Sequence, residues 1–537
     1  MKKNPIFHLS LLSLSVIAAM ASAAESTTAE TEEIVVTGYK GSLQSATNAK
    51  RESTALVESV FAEDIGKFAD SNIAEAINRM PGVQINRDPF GEGVNVSVRG
   101  LGTSFTKVLL NGSQIAVATS GTIDTQNQNR EVDLNLFPTE LFTRFDIQKT
   151  PTASMLEGGI SGIVNIRAAR PFDYKEDGFR ANISAQDVHT ELQSTNSPKI
   201  SASGSWRNDE FGVLLGVSHV DKKLATEGYE TIGYSNLNTS HRICGTTPGA
   251  NQTLATTGGC NPSGSNNWLL AGLDQTATSP NFGNGKVPVN AGAGLVDGTI
   301  IDQAFLLAKN PGLNITQISE ALMPRLGRQA YMSGTDGRTT GLASLEWRPN
   351  DQTKFYLDVM STNVKKDVDR LAMTMVGRNG SMIPLNMKVD DNNVVQSGTF
   401  ANVQFFQEAR PYKESAQFYN INPGAHFEFG EAHTLDVQAN RSRSDWFREA
   451  PTVMVATQLN KGIYVNYTNG EVPKFEVLDA KGPVDFNNPE LGWGWSGGRL
   501  NISNEKRHTE TDGAHADYRF GDDQNNIKFG LAYDKAS

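Results

Sequence analysis

Ala343-Ser344-Leu345-Glu346-Trp347-Arg348-Pro349-Asn350-Asp351-Gln352-Thr353-Lys354-Phe355 sets the pattern of the chain's larger part. Ala343, Leu345 and Trp347 alternate with Ser344 and Glu346, which puts the apolar residues on one face of an extended strand. Pro349 to Gln352 then turns the chain within four residues, and Phe355 starts the return strand. Working outward, the same period-two alternation is found at 179–186, 435–440 and 527–534. Further tight turns stand at 207–210, 430–433 and 521–526. Between them lie long links at 224–337, 365–413 and 447–507, lengths uncommon inside a compact soluble domain. Short turns at one end and long links at the other are what an outer-membrane barrel requires. Aromatic residues beside the short turns (Trp206, Phe211, Trp347, Phe355, Phe429 and Phe520) read as an interfacial girdle on the periplasmic side. The alternation predicts nine strands, at 179–187, 199–206, 211–221, 339–348, 354–364, 415–429, 434–446, 509–520 and 527–534.

Composition agrees. The 537 residues exceed one small domain. With 48 basic against 59 acidic residues the net charge is -11, and no Lys/Arg run follows the leader, which excludes nucleic acid as a partner. No apolar run reaches the roughly 18 residues of a spanning helix, so any membrane span is made of strands. Residues 1–23 read as an export signal: Lys2 and Lys3, an apolar stretch from Leu9 to Met20, and the small-residue site Ala21-Ser22-Ala23, with the mature chain starting near Ala24. Cys244 and Cys260, sixteen positions apart in an exported chain, are expected to form a local disulfide; a metal pair lacks companion ligands at short spacing.

Residues 24–39 leave room for a flexible leader and the tag Glu33-Ile34-Val35-Val36-Thr37, in which four successive β-branched residues favour an extended backbone. A lone terminal strand leaves its N–H and C=O groups unpaired, so it suits addition to another protein's sheet edge, or else it is an ordinary edge strand of the next domain. From Lys40 to Arg170 the pattern is a compact α+β unit. Asn72 caps a helix with Glu75 three residues on, Ile73, Ile77 and Met80 share a face, and Pro81-Gly82 ends it. Strands are expected at 83–85, 95–99, 107–110 (running into an Asn111-Gly112 turn), 132–137, 144–149 and 162–166. None of the glycine-rich joints is followed by the Lys-Ser/Thr of a phosphate loop.

These residues also carry a resemblance. Phe61 to Ile77, Met80-Pro81-Gly82-Val83, Val96-Ser97-Val98-Arg99-Gly100-Leu101-Gly102, Val108-Leu109-Leu110-Asn111-Gly112, Ile147-Gln148-Lys149-Thr150-Pro151, Glu157-Gly158-Gly159 and Gly162 to Ile166 resemble, in order, the plug of TonB-dependent outer-membrane transporters, and the tag resembles their TonB box. The match is closest to the large branch with many carbohydrate importers. The resemblance implies an α+β plug at 40–170, followed at 171–537 by the N-terminal part of an antiparallel transmembrane β-barrel with long extracellular loops. About nine strands of the about 22 in such a barrel would be present, as in a chain truncated at its C-terminus. It also implies that Arg99 and Lys149 lock the plug to acidic residues of the barrel, although a lysine lacks the bidentate geometry of the arginine usual at the second position.

The function implied is TonB-dependent import of a scarce solute across the Gram-negative outer membrane. An oligosaccharide is favoured by the family branch, and a ferric siderophore is next. Too few residues precede the tag for a signalling domain, which favours transport over transcriptional signalling. TonB would grip Glu33 to Thr37, outer-membrane lipid would surround the barrel, and no cofactor or metal is called for. Trp493 and Trp495 are the candidate ligand-binding residues, with Trp268 and Trp446 also placed in or near outer loops, where aromatic faces can stack on sugar rings. Two other classes remain. A passive porin or adhesin would need no plug or tag, and a secreted hydrolase would need Gly494-Trp495-Ser496-Gly497-Gly498, a G-x-S-x-G pattern, to act. No strand or helix is expected on either side of Ser496, so no catalytic residue is assigned. His426 and His433 flank a tight turn as solvated residues, and no histidine stands between 447–451 and 488–491 to ligate haem.

Overall fold

The structure is a computed structural model that describes residues 37–62, 72–115, 117–118, 131–174, 176–235, 239–241, 268–270, 286–301, 303–376, 382–430, 432–457, 461–468, 470, 472–480, 493–522 and 525–537. The export signal, Glu33 to Val36, Cys244 and Cys260 lie outside the described residues.

The plug opens with helix α1 (Thr37–Glu52). Thr37, expected in the extended tag, is instead its first residue; the segment that follows has no β-branched run, and Lys50 and Arg51 in the last turn suit the negative end of the helix dipole. After β1 (Val57–Phe61) comes α2 (Ile73–Asn78), capped as expected: the Asn72 side chain accepts from the Ala74 N–H at 2.7 Å. Ile73, Ala74, Ala76 and Ile77 are its buried face. β2 (Val83–Arg87) and β3 (Gly93–Val98) form a hairpin, while β1 pairs β6 (Phe142–Gln148), β6 pairs β7 (Gly162–Ala168), and β7 lies parallel to β4 (Thr106–Leu110). β4 returns into β5 (Ser113–Gln114) through Asn111 and Gly112, at φ 51° and 84°, the left-handed pair that a two-residue hairpin turn requires. Gly159 is also obligatory: at φ 70°, a Cβ would stand 2.8 Å from the Gly162 carbonyl oxygen. The strand expected at 132–137 is a 3-10 turn, Leu134–Leu136, because Asp133 accepts from the Asn135 N–H and bends the chain ahead of Pro138. Phe137, Phe142 and Phe145 are fully buried, the first pair edge to face at 6.1 Å.

Nine long strands follow: β8 (Gly178–Thr190), β9 (Thr195–Arg207), β10 (Phe211–Thr231), β11 (Leu326–Asn350), β12 (Thr353–Val376), then, beyond a smaller sheet, β15 (Phe405–Phe429), β16 (His433–Glu449), β21 (Asn504–Gly521) and β22 (Asn526–Ala536). Each pairs antiparallel with its predecessor, in a sheet open between β8 and β22. All nine coincide with expected strands, but most of them run further at the long-link end. β11 and β12 stay paired from Trp347↔Phe355 to Leu326↔Val376, well past the last residue of clean alternation. Lys365, Asp367 and Asp369 occupy the outward positions of β12 there, so the strand leaves the apolar band and loses its alternation while its ladder continues.

The aromatic girdle is in register on the outward face. Phe211 pairs Trp347, Trp347 stacks on Phe355 at 5.4 Å, and the series passes through Phe427 to Phe429. Above it the outer face is apolar, with Ile183, Leu215 and Val217 exposed. No helix among the described residues is long and apolar enough to cross a membrane. The long links are not plain loops. Parts of three of them build a separate core from α3 (Gln303–Lys309), α4 (Ile315–Glu320), β13 (Ile383–Val389), β14 (Val395–Val403), β18 (Lys461–Asn466) and β19 (Lys474–Ala480); the last four strands form one sheet. Fully buried Asn310 ties it together, donating to the Leu306 and Pro384 carbonyls and accepting from the Met387 N–H at 3.0 Å. The remaining short strands, β17 (Thr452–Ala456) and β20 (Gly494–Asn501), pair with each other beside β15.

Candidate functional site

The inward faces of the long strands are polar, and they hold the plug. The plug's hairpin β4–β5 points its turn at the wall: Asn111 donates to Asp358 of β12 at 2.9 Å, and its carbonyl accepts from Gln438 of β16 at 2.8 Å. Asn422 donates to Ser113, and Asn440 and Thr511 both donate to the Gln114 carbonyl. Higher on the plug, Ser444 accepts from the Ala118 N–H, and Arg338 donates to the Asn135 carbonyl at 2.6 Å. Leu214, Leu342, Met360 and Phe418 of the wall complete the plug's own apolar core. The neutral hydrogen bonds among these contribute about 0.5–1.5 kcal/mol each, and those made by Asp358 and Arg338 about 1.5–3 kcal/mol.

Ion pairs fix three points. Arg170, where the plug ends, reaches Asp358 at 2.7 Å; Lys199 meets Glu140 at 2.6 Å; and Lys222 meets Glu92 at 2.5 Å. Burial opposes the Arg170 charge, yet the adjoining Asp358 raises its pKa above that of an ordinary arginine. In the plug, burial pushes the carboxyls of Asp133 and Asp88 above the usual carboxylate range, against the pull of Arg338 and Lys366 respectively.

Arg99 and Lys149, expected in the plug–barrel lock, stand elsewhere. Arg99 is exposed at φ 59°, with its N–H on the Gly82 carbonyl. Lys149 is 8 % exposed and ties plug to plug: its Nζ donates to the Pro81 carbonyl at 2.5 Å and lies 3.6 Å from Glu58. Glu58 also pairs with Lys50 at the end of α1, 2.7 Å away. Among the described residues, ionic contacts between plug and wall include those of Arg170, Glu140 and Glu92, whose partners sequence patterning places in or beside expected strands but cannot face toward a particular plug residue.

Trp493 and Trp495 part company. Trp493 packs on the loop-built core, whereas Trp495 in β20 is 62 % exposed. Trp446 is buried against Ala118 of the plug and Ala416, facing inward rather than at an outer edge. Trp268 lies in the short strand Trp268–Leu270. Ser496 lies inside a strand, β20, and not at the strand-to-helix turn on which the G-x-S-x-G pattern acts. His426 is bound between Asp436 and Glu428, and His433 to Tyr518. Among the described residues, no group of three or more His, Cys, Asp or Glu side chains is placed to hold a metal.

A second level of the wall was invisible in the sequence. The plug apex Asp88-Pro89-Phe90-Gly91-Glu92 is closed by Asp88, whose side chain accepts from the Phe90 and Glu92 N–H groups. Phe90 rests on Leu224, Met332, Val368 and Tyr412 of the wall, with the Lys366 ammonium 5.6 Å from its ring centre.

Residues 49–163 match the family described as the TonB-dependent Receptor Plug Domain. This stretch is a TonB-dependent receptor plug. No curated protein matches the receptor in sequence. Among solved structures it is similar to the siderophore receptor PirA from Acinetobacter baumannii (11% identity, covering 91% of this chain and 71% of that one, TM-score 0.32). It is also similar to BauA, the ferric preacinetobactin receptor of the same organism (11%, 90% and 58%, TM-score 0.39). The transporter YddB from Escherichia coli gives 8% identity, 89% and 56% coverage, and a TM-score of 0.32.

Proposed function

We infer that this receptor imports a scarce oligosaccharide across the outer membrane, with work supplied by TonB from the inner-membrane proton gradient. The observation that carries the reading is the plug seated against the polar inner wall by side-chain hydrogen bonds, downstream of a β-branched tag. TonB adds its sheet edge to Glu33 to Thr37 by backbone pairing, and traction reaches α1 first. The helix is attached by Ser42, which donates to the Phe61 carbonyl at 2.6 Å, and by Lys50 on Glu58. Peeling it strips Glu58 of one cation and exposes β1, the edge strand of the plug sheet. The apolar outer face meets lipid, and Trp495 offers an exposed aromatic face to a sugar ring.

The test uses Val35→Pro, which removes a ladder N–H from the tag. Solute uptake by cells should stop while surface binding persists. Uptake that continues in Val35→Pro, or after the proton gradient is collapsed, would assign the chain to a passive pore. Growth on oligosaccharide compared with growth under iron limitation separates a sugar from a ferric siderophore.

A further inference from the structure

Strand β10 opens on Phe211-Gly212-Val213-Leu214-Leu215-Gly216-Val217, apolar at every position, whereas Ala343 to Trp347 on the neighbouring strand alternates with Ser344 and Glu346. Phe211, Leu215 and Val217 are exposed on the outer face. Gly212, Leu214 and Gly216 point inward, and Leu214 is 1 % exposed. Glycine inside a strand weakens it, because it packs no side chain and loses more chain entropy on folding. Neither Gly212 nor Gly216 has a left-handed φ, so the backbone does not require them.

What fills both gaps is the plug. A Cβ at Gly216 would stand 2.6 Å from Cδ2 of Leu141, and one at Gly212 would stand 2.6 Å from Cβ of Pro171 and 3.1 Å from Cε2 of Phe172. At Gly228, on the same face of the same strand, a Cβ would meet nothing within 4 Å. Leu214 goes the other way and enters the plug's apolar core with Phe137 and Phe142. Knobs and holes are therefore exchanged in both directions along Gly212 to Gly216. The two plug segments are also tied together, since the Leu141 carbonyl accepts from the Ala169 N–H at 3.0 Å across the ends of β6 and β7. Around the Gly212 gap, Glu346 accepts the Phe172 N–H at 2.9 Å, and the Arg348 and Arg207 guanidiniums lie 3.8 and 4.8 Å from the Phe172 ring centre. A polar contact can re-form after a shift of register, because it needs only a donor opposite an acceptor. A hole cannot. Sliding the strand by one residue turns the glycine outward, and sliding it by two brings Leu214 to where the gap was.

We propose that Gly212 and Gly216, with Leu214 between them, are the positioning residues by which the wall fixes the register of its plug, and that this interlock keeps the seam shut to passive diffusion in the resting receptor. The ion pairs of Glu140 and Arg170 then strengthen a seat that shape has already chosen. Neither the solute nor TonB enters into it, so any outcome with Val35→Pro leaves it untouched.

A volume swap in the full chain, purified in detergent, tests the seat by amide exchange of Ala169. Gly216→Val alone overpacks the gap and Leu141→Ala alone leaves it underfilled, so each should speed that exchange roughly tenfold. Gly216→Val/Leu141→Ala moves the same side-chain volume from plug to wall and should return exchange close to the parent's. Gly228→Val, facing open space, should equal the parent. Cells carrying Gly216→Val should admit vancomycin, and cells carrying the swap should exclude it. A swap variant that fails to assemble, or that exchanges as fast as the two single effects combined, would overturn the proposal. Parent-like exchange in Gly216→Val, acceleration in Gly228→Val, or exclusion of vancomycin by cells carrying Gly216→Val would do the same.

Discussion

Arg170 and Asp358 close the seam between plug and wall from opposite sides. Nη2 and Nε of the arginine lie 2.7 and 3.0 Å from Oδ2, the guanidinium covers the Tyr356 ring at 3.9 Å, and Ser344 and Asn111 donate to the same carboxylate. Four donors surround this buried carboxylate, and its loss leaves the largely buried Arg170 guanidinium without its counter-charge.

Asp358→Ala should therefore cost about 3–5 kcal/mol of plug docking, the penalty for breaking a buried pair by removing one partner. Limited proteolysis of the folded receptor would show the plug cleaved earlier than in the parent. Asp358→Asn, which keeps an acceptor for Asn111, should lose less. Equal protection in all three would mean that the seam contributes nothing to docking.

Lys149 gives a contrasting expectation. Lys149→Met frees the Pro81 carbonyl and one side of Glu58, at a cost of roughly 1–3 kcal/mol within the plug. Its midpoint of plug unfolding should fall while the exchange protection of Ala118, whose N–H donates to Ser444 of the wall, stays as in the parent. Loss of protection at the wall would show that Lys149 acts across the interface after all.

The apex is tested by Phe90→Ala and Glu92→Gln. The first removes a half-buried ring from the wall cluster and the second its ion pair with Lys222. Amide exchange at 88–92 should accelerate in each, more in the double variant than in either single one. The Asp88 turn should keep the loop closed, so exchange at β2 and β3 should be unchanged.

Acidity acts through Asp133. Burial raises its pKa in the folded plug, so the folded state holds the proton more tightly than the unfolded chain, whose value is about 3.9. The contribution to stability is then full below the unfolded value and declines as pH rises through the window up to the raised one. Thermal melts of the receptor should show this decline, and Asp133→Asn, which keeps the acceptor for the Asn135 N–H, should flatten it. An unchanged slope would assign the effect to other carboxyls.

The nine strands were legible because their membrane-facing residues must be apolar while their inner ones are polar, a contrast that Ala343 to Phe355 displays within thirteen residues. Their outer halves were not, since a strand that has left the bilayer has no reason to keep that contrast; Arg328, Arg370 and Arg410 accordingly lay in stretches that read as links. The α2 cap and the Asn111-Gly112 turn were readable from local chemistry alone. Helix α1 was missed because Thr37 to Glu52 has no apolar stripe, and the 3-10 turn at Leu134–Leu136 because its apolar residues mimic a short strand. Partnerships such as Arg170 with Asp358 depend on strand register over 188 positions of sequence, which no local pattern encodes.

The core around Asn310 has a consequence for how such receptors diversify. Its apolar interior is separate from that of the plug, and three different links contribute to it. Single-link exchange between relatives would tear that interior open, whereas exchange of all three together would carry a finished surface onto an unaltered barrel. An exchange that keeps this interior whole therefore has its boundaries at the strand tops around Leu326, Val376, Phe405 and Glu449.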